Sequence, residues 1–579
     1  MRIKIVALNA RFTHSCLALF HVRNELEKNC PGVASELCQL TINDSYYETL
    51  LRLSQGCPDY IFFSVAVWNS DRVEQLIRDL TGSLPGCGVV VGGPQAVVVG
   101  RNLASSQCST QCTVVSGDME ALSGDFYRDL ERKELQPCYG GSFLRMPDRA
   151  LFSPYREEDF HSHLRDRNIY YESSRGCPFS CSYCLSSAEQ GVYHKPLAQV
   201  ELELAQILRH RPKTLRFVDR TFNDRPERAL AIWKFLLDGE GETESEAETL
   251  FHFEITPDRF TEEMFAFLKT VPVGRFQFEI GVQSTHLETL QAVGRTMDVA
   301  MALRNIKRLV TIGSIHLHVD LILGLPYETT ESFARSFADL FATGAHYLQM
   351  GLLKLLPDTA MSRDGVRFSY THCSQPPYAV LANQWLDHVG LRELYWFCEC
   401  VEKFVNNRYF PSLWEYLRQQ GEDMFSFFQE LLRICQQAHF FSLAATQEFM
   451  GHLLGTLIQG REDGALLLEI LRYDWLRCGH RFLPSFLQVE LAEEQPQAVR
   501  NYIYQQAASE EEGFFAHGNR NQVFKKGFFL RFSGQCLQEL GLSQTGMQAV
   551  IIFLPEREAS LYRLHKTVLI ENSGNQACR

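Results

Sequence analysis

Three cysteines, Cys177, Cys181 and Cys184, stand in the run CPFSCSYC, and no further cysteine follows until Cys373. A ferredoxin-type cluster run supplies four thiolates in close order; this one stops at three. Three thiolates can hold three irons of a cubane and leave the fourth iron open, as a catalytic zinc site keeps one position free. Two plainer readings stand beside that one. A structural zinc site would take His194 as a fourth ligand, although Cys3His sites normally pair two short ligand hairpins and only one is present. With 18 cysteines in 579 residues, chance clustering of small buried thiols is the other.

The chain is long enough for two to four domains with ample core. Its 45% hydrophobic and 22% charged residues are those of an ordinary soluble globular protein. The apolar run from Tyr60 to Trp68 is too short to span a bilayer. The start, MRIKIVALNARF, turns polar before a signal-peptide core develops, so the expectation is a cytoplasmic protein with reduced thiols and no membrane partner. A net charge of −13 argues against a nucleic-acid partner, which needs Lys and Arg to neutralise phosphates. The locally basic stretch Arg520 to Arg531 reads as a solvated face.

Residues 1–140 alternate short apolar strands (IKIVALN, VASELCQLTI, DYIFFSVAVW, GVVVGGP) with amphipathic stretches such as YYETLLRL and SDRVEQLIRDL, and CTVVSGDMEAL closes the series with a strand, a turn and a helix start. This pattern predicts an α/β, flavodoxin-like doubly wound domain whose ligands sit beyond the carboxyl ends of its strands. Gly92 and Gly93 end one strand, where a missing side chain permits close backbone approach to a ligand. Residues 141–165 read as a linker. Residues 166–372 hold six further strand candidates: NIYYES, TLRFVD, FHFEI, RFQFEIG, IHLHVDLIL and YLQMGLLK. Six βα units suit a partial (β/α)6 barrel, with the acidic run GEGETESEAE at 239–248 as a solvent loop and the active face at the strand carboxyl ends. Residues 373–579 predict a mostly helical domain, with one strand at AVIIFL.

Strands covered on both faces should be nearly all apolar, yet Asp219, Glu254, Glu279 and Asp320 punctuate these, and Gln283 and Arg295 follow one of them. An unpaired buried carboxylate is costly, so several pointing one way imply a polar ligand; the alternative is structural pairing with Lys and Arg. S-adenosylmethionine offers an ammonium and ribose hydroxyls for the carboxylates and Gln283, and a carboxylate for an arginine fork.

These motifs resemble the radical S-adenosylmethionine branch that includes the anaerobic coproporphyrinogen dehydrogenases and elongator-type acetyltransferases. CxxxCxxC with Tyr183 before the last cysteine, FEITPDRF, FEIGVQS, GRTMD and DLILGLPYET occur in that branch's order between Tyr171 and Lys354. The resemblance implies a 4Fe–4S cluster on Cys177, Cys181 and Cys184. It also implies S-adenosylmethionine contacts from Tyr171, Tyr183, Asp219, Glu254, Glu279, Gln283, Arg295 and Asp320. One departure is visible: FVDRTFN stands where a GGE-like turn is usual, so Asp219, Thr221 and Asn223 replace it. The first domain, with VVVGGP and VSGDMEAL, resembles the cobalamin-binding domain preceding many such cores, which implies cobalamin near Gly92 and Gly93. It lacks the DxHxxG signature, and His14 in FTHSCL is in the wrong context, so cobalt would be held without a protein histidine. The implied enzyme uses a deoxyadenosyl radical for methyl transfer or another radical transformation, fed by an electron donor such as a flavodoxin or ferredoxin. Two rivals remain. One is a cobalamin-free enzyme such as a methylthiotransferase, with a second cluster drawn from Cys16, Cys38, Cys57, Cys87, Cys108 and Cys112. The other is a non-enzymatic metal-binding scaffold.

Overall fold

The computed structural model describes residues 1–105, 112–148, 150–238, 249–488, 527–558 and 560–570. The acidic run at 239–248, Cys108 and residues 520–526 of the basic stretch lie outside the described residues.

Continuous apolar runs build the first sheet. Its strands are β1 (Arg2–Asn9), β2 (Ala34–Thr41), β3 (Tyr60–Ser64), β4 (Gly88–Gly92), β5 (Cys112–Gly117) and β6 (Cys138–Gly141). β1, β3 and β4 are buried along nearly their whole length, as strands covered on both faces must be. The order is β2-β1-β3-β4-β5-β6 and every pairing is parallel, which is the doubly wound arrangement expected, extended by one strand. That added strand, CYGG, carries no strand signal of its own; it is short and half glycine.

All six strands expected in the second sheet are present: β7 (Ile169–Tyr171), β10 (Thr214–Phe217), β11 (Leu250–Ile255), β12 (Phe276–Gln283), β13 (His316–Leu323) and β14 (Tyr347–Leu352). Between β7 and β10 the chain adds an antiparallel hairpin, β8 (Ser174–Cys177) and β9 (Gly191–His194). The strands of the second sheet stand in sequential order. Their pattern has period two rather than the continuous burial of the first sheet. On β12, Phe276, Phe278, Ile280 and Val282 are buried, while Gln277, Glu279, Gly281 and Gln283 are half-buried. One face therefore packs dry against helices, and the other is a polar lining. This is why carboxylates punctuate these strands: they occupy the lining positions and not a doubly covered core. On the dry face Trp233 of helix Pro226–Asp238 is fully buried and lies 5.3 Å from Phe278 and 6.0 Å from Phe253, ring centre to ring centre.

The chain divides into two compact units, the first comprising Met1–Asn305, Ile322–Thr329 and Gly351–Leu391, and the second Ile306–Leu321, Thr330–Met350 and Arg392–Arg579. Within the second, helices Pro411–Gln419, Met424–Gln437, Gln447–Ile458 and Gly464–Arg477 supply the expected helical character. The expected AVIIFL strand is the centre of an antiparallel sheet formed by Phe528–Phe532, Ala549–Arg557 and His565–Ile570. Tyr473 packs against Phe532 and Phe553 of that sheet. Among the described residues, no helix is long and apolar enough to cross a membrane.

Candidate active site

The cysteine loop leaves β8 at Cys177 and returns at Gly191 of β9, its pairing partner. It is pinned along its length. The Ser182 amide donates to the Val293 carbonyl at 2.9 Å, the Ser182 carbonyl accepts from the Met361 amide at 2.8 Å, and the Cys184 amide donates to the Cys181 carbonyl at 3.0 Å. All three cysteines are free thiols, with Cys181 buried and the other two half-buried. Cys177 Sγ lies 3.7 Å from Thr221 Oγ1. Among the described residues, the side chains close enough to share a single metal ion are Glu157, His161 and His210, not the cysteines. A tetrahedral zinc would draw its thiolates to such spacing, whereas a cubane spreads them over separate irons. His194, the fourth ligand of the zinc reading, is instead bonded through Nε2 to Asp224 at 2.8 Å.

Two residues expected at the cofactor are committed elsewhere. Asp219 accepts from the Ser173 amide at 2.9 Å and from the Ser173 and Ser174 hydroxyls at 2.5 and 2.6 Å. It is 1% exposed and braces the turn into β8, so its acceptor positions are filled by the chain. Tyr171 is also buried, its hydroxyl donating to Glu203 at 2.7 Å and its ring packed edge-on against Phe217. It faces the helix side of the sheet because period two turns alternate residues of β7 that way.

Glu254, Glu279, Gln283 and Asp320 all stand at half-buried positions of the second sheet. Glu254 and Glu279 stand directly opposite on β11 and β12. Glu279 is tied to His252 Nε2 at 3.2 Å and approaches Arg216 at 3.8 Å. Burial, then the neighbouring Glu279, pushes the Glu254 carboxyl up to about 7, against the pull of Arg220 and Arg216. Gln283 ends β12 with φ of +74°, a left-handed conformation rarely taken by a residue other than glycine. Its amide folds back over Gly281, where a Cβ would collide with Gln283 Nε2; this is the steric reason for a glycine two residues before the glutamine. Asp320 occupies a half-buried position of β13. One acid was not singled out in the sequence: Glu328, in GLPYET, is fully buried, accepts from Ser284 at 2.9 Å through Oε1 and leaves Oε2 without a partner. Burial pushes its carboxyl up to about 8.

Arg295 reaches the cysteine loop from beyond β12. Its Nη2 donates to the Gly281 carbonyl and its Nη1 to Cys181 Sγ at 3.7 Å, while Nε is buried without a partner. Tyr183 bonds to both Cys181 and Arg295, and the guanidinium lies 5.7 Å from the Phe179 ring centre. The arginine fork is thus spent on the protein, leaving Nε as the free donor.

A cavity of about 350 Å³ lies beside the first sheet. Ile5, Phe62, Val90 and Val115 form its apolar floor, and it reaches the strand ends at Ser64, Gly92 and Gly93. Gly93 has φ of +101°, and a Cβ there would stand 2.7 Å from the Val65 carbonyl oxygen, so close packing of backbone on backbone demands this glycine. The polar wall is His21, Asp118, Glu120 and Arg175. His21 Nδ1 pairs with Glu120 at 3.1 Å, and burial lowers its pKa. Arg175 of β8, two residues before Cys177, bonds to Asp118 at 3.2 Å, Glu120 at 3.1 Å and Glu172 at 2.7 Å. His14, the histidine weighed from sequence, is bonded to the Tyr170 hydroxyl and does not line the cavity. His21 does, and it escaped notice because an isolated histidine in an amphipathic helix carries no signal.

Residues 171–340 match the radical SAM (S-adenosylmethionine) superfamily. This segment is a radical SAM domain. Residues 366–553 match a protein family of unknown function, DUF4080. The chain is 28% identical over 343 residues to the cobalamin-dependent radical SAM methyltransferase TokK of Streptomyces tokunonensis, covering 53% of this chain and 48% of TokK. It spans about half the length of the curated relatives it matches. Among solved structures, the cobalamin-dependent S-adenosylmethionine radical enzyme OxsB superposes with a TM-score of 0.54 at 13% identity, covering 82% of this chain and 80% of OxsB. The radical S-adenosylmethionine methyltransferase TsrM of Kitasatospora setae superposes with a TM-score of 0.50 at 15% identity, covering 64% of this chain and 79% of TsrM. The fold is therefore that of a doubly wound domain followed by a partial-barrel radical SAM core.

The donor set fits the cluster. Three free thiols are presented on one pinned loop, beside a half-buried guanidinium whose Nε is buried without a partner. Among the described residues, the first-domain cysteines do not form a comparable set. Cys57 and Cys87 precede β3 and β4 and Cys112 begins β5, so all three lie at the amino edge of the sheet, away from its ligand edge. Burial pushes the thiol of Cys87 up to about 11 and those of Cys38 and Cys112 to about 12.

Proposed function

We propose that this protein is a cobalamin-dependent radical SAM enzyme of the cytoplasm that transfers a methyl group to a carbon of its substrate. The observation that carries this reading is Arg175. One guanidinium joins the wall of the first-sheet cavity, at Asp118 and Glu120, to the strand that delivers Cys177. A cavity suited to a second cofactor and a loop suited to a cluster are thereby fixed to one another, as a reaction passing between two cofactors needs. The names of TokK and OxsB support cobalamin as the occupant of that cavity.

Cys177, Cys181 and Cys184 would hold the cluster. Glu254 and Gln283 would accept from the ammonium and hydroxyls of S-adenosylmethionine, and Arg295 Nε would donate to it. Gly92, Gly93 and His21 would line the cobalamin site. Bound there, these groups supply a deoxyadenosyl radical and a methyl carrier, while the protein supplies position and electrostatics. The lining residues hold their polar groups toward the open face of the barrel, and the aromatic layer around Trp233 keeps its opposite face dry. A low-potential one-electron donor such as a flavodoxin or ferredoxin would reduce the cluster.

The test is anaerobic purification with iron, sulfide and cobalamin supplied, followed by quantitation of all three and by assay for deoxyadenosine and methyl transfer from labelled S-adenosylmethionine. One cluster and one cobalamin per chain are expected. A cluster without cobalamin would replace the reading by a cobalamin-free radical enzyme. An unchanged iron content and visible spectrum in Cys181→Ala would overturn the cluster assignment itself.

A further inference from the structure

Arg295 is half-buried with its Nε shut off from solvent, yet among the described residues no carboxylate pairs with it. Its contacts are the Gly281 carbonyl, the Cys181 sulfur, the Tyr183 hydroxyl and the face of Phe179. A guanidinium cannot be deprotonated and is costly to bury without an opposing charge. Among the described residues, the groups it touches that can carry opposing charge belong to the cysteine loop. Three of its four contacts (Phe179, Cys181 and Tyr183) belong to that loop, and the fourth anchors the guanidinium from behind.

On the cluster reading above, that charge has a natural source. Three thiolates outweigh the positive charge of an oxidised cubane core by one, and an added electron doubles the excess. A fixed cation with an N–H directed at one of the ligating sulfurs therefore stabilises the reduced form more than the oxidised form. Hydrogen bonds to sulfur and local charge are established determinants of cluster potential. We propose that Arg295 is a positioning residue of the cluster itself: through its contact with Cys181 it raises the cluster's reduction potential. This deepens the proposed function, on which it rests. It also assigns the arginine differently from a carboxylate fork, since both Nη atoms are already engaged.

The electron balance is simple. One electron enters the cluster from an external low-potential donor, and no bond to Arg295 forms or breaks. The consequence is that losing the guanidinium makes the same electron harder to add.

The test is a potentiometric titration of the reconstituted full chain without S-adenosylmethionine, following the reduced cluster by electron paramagnetic resonance. Arg295→Gln is expected to lower the reduced-to-oxidised ratio at fixed potential about tenfold, which for one electron is a shift of about 59 mV to more negative values. Arg295→Lys keeps the charge but not the fork, and is expected to fall between; it also decides the matter if the glutamine variant fails to hold iron. Potentials equal to wild type in whichever variants bind a full cluster overturn the proposal, and a loss of S-adenosylmethionine affinity alone would return the residue to substrate binding. Absence of any cluster in the unmodified protein would instead refute the function on which the inference stands.

Discussion

The pair Glu254 and Glu279 gives the sharpest test of the lining. They face each other across β11 and β12, and Glu279 already has His252 and Arg216 as partners. Glu254 has burial and a like charge to contend with, which carry its carboxyl from 4.5 to about 7. Between those values the folded chain holds a proton that the unfolded chain has released, so stability falls as pH rises through the window from about 4.5 to 7 and is flat on either side. At about 1.4 kcal/mol per pH unit, the cost is roughly 3 kcal/mol once the group is ionised. Glu254→Gln removes it. The variant, stripped of cofactors and titrated with denaturant, is expected to match wild type near pH 4.5 and to be more stable by up to about 3 kcal/mol at pH 8. The same change should weaken S-adenosylmethionine binding tenfold or more, because a hydrogen bond to a charged group is worth about 1.5–3 kcal/mol. Equal stability of the two proteins at both pH values would refute the account of Glu254 as a half-buried carboxyl waiting for a cation.

Two further outcomes follow from other parts of the site. Asp219→Ala leaves the Ser173 amide and two hydroxyls without their acceptor and is expected to cost about 1–3 kcal/mol and to lower iron retention; an unaltered melting curve would contradict its bracing role. His21→Ala should reduce cobalamin bound after dialysis while iron stays stoichiometric, since His21 lines the cavity and not the cysteine loop; equal loss of iron would show that the two sites are not separable in this way.

Much of this was legible in the chain because its signals are local. Both parallel sheets announce themselves as short apolar runs between amphipathic stretches, and CPFSCSYC and FEIGVQS are contiguous. What escaped notice depends on the third dimension. The strand CYGG has no propensity and exists because β5 offers it an open edge. The side-chain directions of Tyr171 and Asp219 follow from which face of the sheet each residue takes and from serines on the adjoining turn, neither of which spacing can reveal. His21 and Glu328 become conspicuous only through a cavity wall and an unpartnered oxygen. Strain at Gln283 was likewise invisible, although the preceding Gly281, which makes room for it, was in plain view.

The antiparallel pairing of Cys177 with Gly191 closes the cysteine loop by backbone hydrogen bonds that do not depend on its ligands. In a zinc finger the ion pays the entropy of folding, and a chelator undoes the domain. Here the hairpin and the anchors of Ser182 to Val293 and Met361 have already met that cost. Held by backbone at its ends and middle, the loop is expected to keep its place when irons are lost, so that iron and sulfide restore the cluster without a denaturation step.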